Sequence, residues 1–80
     1  MNTLELTREE LVSEPEERKL ATGKSILSFN VKISDKIADL NTGHKFDYQN
    51  ELYEIMNRES VNSLVSYIKF NCIRKAGVNA

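Results

Sequence analysis

The stretch Ser60-Val61-Asn62-Ser63-Leu64-Val65-Ser66-Tyr67-Ile68-Lys69-Phe70-Asn71-Cys72-Ile73-Arg74-Lys75-Ala76 decides how the chain is read. Val61, Leu64, Val65, Ile68 and Cys72 recur at helical spacing, which puts them on one apolar stripe. Asn62, Ser63, Ser66, Lys69 and Asn71 fall mostly off it, and Tyr67, Phe70 and Ile73 widen the apolar surface. Ser60 suits an N-cap, Arg74 and Lys75 suit the negative end of the helix dipole, and Gly77 suits a left-handed stop. The spacing therefore predicts a helix over 60–76. That helix carries more apolar surface than it can hide alone, so it must pack on the rest of the chain and on a partner.

Phe46–Arg58 repeats the helical period through Tyr48, Leu52, Ile55 and Met56, with Asp47 as its cap. Asn57-Arg58-Glu59-Ser60 interrupts it, so the two segments read as a helical hairpin. Ser25–Ser34 has a different period. Leu27, Phe29, Val31 and Ile33 alternate with Ser28, Asn30 and Lys32, which marks a half-buried strand. Its partner is open among Leu4–Leu6, His44–Tyr48 after the turn Asn41-Thr42-Gly43, and a second copy of the chain. Thr7-Arg8-Glu9-Glu10 and Ser13-Glu14-Pro15-Glu16 both have the capping-box pattern. Pro15 suits a first helical turn only, so a short turn at Arg8–Leu11 and a helix over about Glu14–Leu20 are expected, ended by Gly23. A further helical turn fits Lys36–Leu40. The expected fold class is a small α+β domain over 1–80: a short N-terminal helix, one clear strand (25–34) in a small sheet, and a C-terminal helical hairpin.

An 80-residue chain forms one domain with a small core. Cys72 is the one cysteine and His44 the one histidine, which excludes an intrachain disulfide and the usual zinc sets. Oligomerisation is then the expected support, and a homodimer the expected state. A formal net charge of −1 supplies no global field for nucleic acid or membrane. No apolar run has membrane-spanning length and no signal-peptide core opens the chain, so the expected place is the cytoplasm, with Cys72 reduced.

No residue set reads as catalytic. Thr22-Gly23-Lys24-Ser25 ends like a phosphate-binding loop, but Arg18 stands where that motif needs glycine, and helix and strand come in the wrong order. Glu9, Glu10, Glu14, Glu16 and Glu17 suit a solvated face better than a tuned acid–base pair. His44 reads as exposed, and Cys72 as a small core residue. No enzyme, cofactor or metal is expected. The expected function is that of a small interaction module or regulator, docking an apolar helical face on a protein partner or on itself through Tyr67, Phe70 and Ile73. The alternative is single-stranded nucleic-acid binding, with Lys32, Lys69, Arg74 and Lys75 as cations among the aromatics Tyr67 and Phe70.

Leu11-Val12-Ser13-Glu14-Pro15-Glu16-Glu17-Arg18, then Gly23-Lys24-Ser25-Ile26 and Phe29-Asn30-Val31-Lys32-Ile33, resembles the opening of bacterial and phage single-stranded DNA-binding proteins. There an acidic-Pro-Glu-x-Arg turn follows the first strand and Gly-Lys opens the second. The resemblance covers about the first 33 residues and departs from the family where Glu17 replaces an aliphatic. It implies a five-stranded OB barrel that oligomerises, Arg18 and Lys24 near the DNA path, and Phe29 in the core; Tyr67–Cys72 could be forced into a third strand only against its helical period.

Overall fold

The computed structural model describes residues 3–75. It contains β1 (Leu4–Leu6), β2 (Glu16–Lys19), β3 (Ser25–Lys32), β4 (Lys45–Tyr48), β5 (Glu51–Asn62) and β6 (Ser66–Lys75), with two single 3-10 turns at Arg8–Glu10 and Asp35–Ile37. The strands form one six-stranded sheet in the order β1-β4-β5-β6-β3-β2. All neighbours are antiparallel except β1 and β4, which run parallel.

The α+β reading with its C-terminal helical hairpin is therefore wrong. The described residues of both expected helices lie in β4, β5 and β6 and the turns between them. In β6 the side chains obey period 2: Ile68, Phe70 and Cys72 point inward, while Tyr67, Lys69, Asn71 and Ile73 point outward. Both periods fit the same apolar run. β-branched and aromatic residues at Val61, Val65, Tyr67, Ile68, Phe70 and Ile73 favour the pleated form. Long-range pairing with β3 and β5 then settles it. Between β4 and β5 the chain reverses in two residues, Gln49 and Asn50, at φ 51° and 68°. Two successive positive φ values make the primed turn whose twist matches a hairpin, and asparagine tolerates it. The expected C-cap at Gly77 lies outside the described residues.

The N-terminal helix over Glu14–Leu20 is also absent; Glu16–Lys19 is the edge strand β2. Gly23, at φ 91°, turns the β2–β3 hairpin instead of ending a helix. The turn at Arg8–Glu10 is where the sequence placed it, and the Glu10 carboxylate accepts the Thr7 N–H at 2.8 Å. The Ser25–Lys32 strand is present too, but its partners are β2 and β6. Leu4–Leu6 and Lys45–Tyr48, each weighed as its neighbour, pair with one another.

The first segment touches both ends of the sheet. Leu4–Leu6 lie along β4, while Leu11 bridges Val31 on the side of β3 away from β6. The Val12 N–H donates to the Asn30 carbonyl at 2.7 Å. The sheet is thus rolled into a partly closed barrel around one core. Phe29 lies at its centre, edge-on to Phe46, Tyr48 and Tyr53 at 4.9–5.4 Å. Leu6, Leu11, Leu27, Val31, Ile37, Ile55, Ile68, Phe70 and Cys72 fill the remainder. Below the barrel the segment after Asp35–Ile37 is tied by Arg58, whose Nη1 donates to the carbonyls of Ala38 and Leu40. The same guanidinium lies 5.8 Å from the Phe70 ring centroid.

Candidate functional site

Rolling the sheet turns alternate residues of β2, β3, β5 and β6 onto one convex outer face. Directly paired residues share a face, so the registers assemble rows across it. Glu16, Ser28, Asn71 and Asn57 form one row; Asn30, Lys69 and Glu59 the next; Lys32, Tyr67 and Val61 the third. Asn71 is the hub. It is 8% exposed although it faces outward. Its Oδ1 accepts from Ser28 Oγ at 2.6 Å, and its Nδ2 donates to Asn57 Oδ1 at 2.6 Å and to Glu59 Oε2 at 2.8 Å. That network stitches β3, β6 and β5 together. Above it lies an open groove of about 620 Å³ lined by Glu16, Glu17, Arg18, Ser28, Glu59, Lys69 and Asn71.

The six nucleic-acid candidates distribute unevenly. Arg18, Lys32, Lys69 and Lys75 stand on the outer face with Tyr67, and Arg18 and Lys69 meet in the groove. Lys24, Arg74 and Lys75 line a second groove with Ser25 and Ile73 at the far end. Arg74 lies 3.7 Å from Glu51 and over the Tyr53 ring, and Lys75 lies 3.3 Å from Glu54. The Lys32 ammonium donates to the Glu9 carbonyl at 2.9 Å. Of the three partner-binding candidates, Tyr67 and Ile73 are half-buried on the outer face. Phe70 is fully buried in the core, closed to any partner. There is no helical face for them to share.

The most exposed apolar residues lie elsewhere: Leu64 and Val65 in the turn of the β5–β6 hairpin, and Ile33 just past the end of β3. Leu64 is 104% exposed, Ile33 61% and Val65 60%. The ladder between β3 and β6 ends at Lys32 and Tyr67, so Ile33 leaves β3 at the same end of the sheet as the hairpin turn. The sequence names Leu64 and Val65 only as parts of a buried helical stripe. The signal that locates them is the tripeptide Ser63-Leu64-Val65 as a loop between two strands of opposite direction.

Titratable groups add little chemistry. Burial pushes the Cys72 thiol up to about 12, so its thiolate is scarce at neutral pH. Burial also raises the Glu10 carboxyl, but the Thr7 N–H and the Lys36 ammonium more than offset this and hold it below its ordinary value. Among the described residues, no group of three or more His, Cys, Asp or Glu side chains is placed to hold a metal ion. Nor is any helix among them long and apolar enough to cross a membrane. Comparison with known proteins returns no matching family model, no matching curated protein and no matching solved structure.

Proposed function

We propose that this protein is a small non-enzymatic interaction module that works by associating with a second copy of itself. The observation that carries this is the exposed pair Leu64-Val65 in the hairpin turn, with exposed Ile33 leaving β3 at the same end of the sheet. Clustered exposed aliphatics on a small domain mark an interaction site. The seven residues Ser60–Ser66 bear no charge, so two copies can bring the same surface together without like-charge repulsion. A self-complementary patch of this kind suits a two-fold homodimer. The docking element is a hairpin end, in place of the helical face expected from the sequence.

Sedimentation velocity tests the reading. The wild type should grow heavier with concentration, and the double variant Leu64→Asp, Val65→Asp should stay monomeric with its melting temperature unchanged. A wild type that remains monomeric up to its solubility limit removes the proposal.

A second reading has its own support. Arg18, Lys32, Lys69 and Lys75 share the outer face with Tyr67, in the spirit of a single-strand platform. The resemblance of residues 11–33 to single-stranded DNA-binding proteins points the same way. Glu16, Glu17 and Glu59 in the same groove weigh against it, since they repel phosphate. Self-association is therefore the preferred reading.

A further inference from the structure

We infer that two copies join by pairing the free edge of β5 with itself, antiparallel about a two-fold axis at Ser60. This deepens the self-association reading by naming the strand, the register and the residues that meet.

Among the described residues the sheet has at least three stretches of unpaired edge, and two are guarded. β1 is three residues long. β2 is Glu-Glu-Arg-Lys, charged and exposed at every position. Short edges and consecutive charges are how proteins discourage edge-to-edge pairing. The third stretch is longer and carries only two charges, Arg58 and Glu59. β4 pairs with β5 only from Glu51 to Glu54, and Gly43 and His44 extend that contact to Ile55. From Asn57 to Asn62, β5 has β6 as its one lateral neighbour among the described residues. Arg58 is its one cation and is turned toward the Ala38 and Leu40 carbonyls. Glu59 is its one anion and is held by Asn71. Beyond Glu59 the edge is uncharged and runs into the apolar hairpin end.

Geometry restricts the register. Paired residues of an antiparallel ladder point to the same face, so a two-fold axis normal to the sheet must set one residue opposite itself. An axis at Arg58 or Glu59 would oppose like charges, which destabilises a strand pair. An axis at Val61 shortens the ladder. Ser60 pairs five of the six residues: Glu59 faces Val61 of the second copy, and Arg58 faces its Asn62. The hairpin turn, with Leu64 fully exposed, then follows directly on the paired stretch in each copy.

Two measurements test the pairing. Ser60→Cys places two thiols opposite each other at a separation a disulfide spans, about 4.5–5.5 Å between Cα atoms. Under mild oxidation it should become a covalent dimer, while Thr42→Cys, also at an exposed position, should not. Val61→Glu opposes Glu59 of the second copy twice and should weaken the dimer by about tenfold. Val61→Lys opposes the same carboxylate with a cation and should leave it as tight or tighter. A patch that is merely apolar predicts equal loss from both. If wild type is dimeric and Leu64→Asp dissociates it, yet Ser60→Cys cross-links no faster than Thr42→Cys, the strand pairing is overturned and self-association stands. If the wild type is monomeric, both fall.

Discussion

Arg58 is the residue whose role is least visible before folding. In the sequence it sits in a break between two supposed helices. In the structure it ties the Ala38–Leu40 segment to β5, donating to two backbone carbonyls and lying over Phe70. Hydrogen bonds from a charged donor contribute about 1.5–3 kcal/mol when the acceptors are otherwise unsatisfied. Arg58→Ala should therefore lower stability by about 1–3 kcal/mol in a urea melt, and Arg58→Lys should recover only part, since ammonium lacks the planar fork. Glu10 gives a pH prediction of definite sign. Its folded pKa lies below the unfolded value, so its contribution is complete above roughly pH 5 and is lost as pH falls through the carboxylate range. Stability measured from neutral pH down to acid should drop less steeply in Glu10→Gln than in the wild type. Equal slopes would show that the Thr7 and Lys36 contacts do not discriminate charge.

Among the elements, β3 and the turn at Arg8–Glu10 were legible because each has one consistent signal. Leu27, Phe29, Val31 alternate cleanly, and Thr7 and Glu10 stand three apart. β6 was not legible. Ile68 and Cys72 satisfy a four-residue step and a two-residue step equally, and only the burial of Phe70 between them separates the two. The choice is made by β3 and β5, which lie far away in the chain, so no local count contains it. β5 is harder still, because Met56 is inserted as a bulge and shifts the alternation by one. The outer-face cations were found by residue type alone. The apolar hairpin end was missed, since recognising it requires knowing where the chain turns. Ile68 belongs to the core under either reading, at 5% exposed. Ile68→Asp buries an unpaired charge and should unfold the domain, a loss of about 4 kcal/mol or more read from circular dichroism. A native spectrum would place Ile68 outside the core.

For the whole molecule, the two functional readings separate by their response to salt. Phosphate contacts release counterions, so oligonucleotide binding weakens steeply as salt rises. Apolar association holds or strengthens under the same change. Lys69→Glu should leave folding and self-association intact, and should reduce retention of a labelled single strand only if the outer face binds one. No retention at low salt would remove the nucleic-acid reading.

The parallel joint between β1 and β4 is made by three residue pairs, whereas β5 and β6 share ten. It is the seam along which the barrel can unzip. Amide protons there should exchange with deuterium well before those of β3 and β6. Each opening bares the backbone of Phe46–Tyr48 and lets the leading segment of one molecule settle against the β4 of a neighbour, so crowded solutions of this protein should exchange their N-terminal strands.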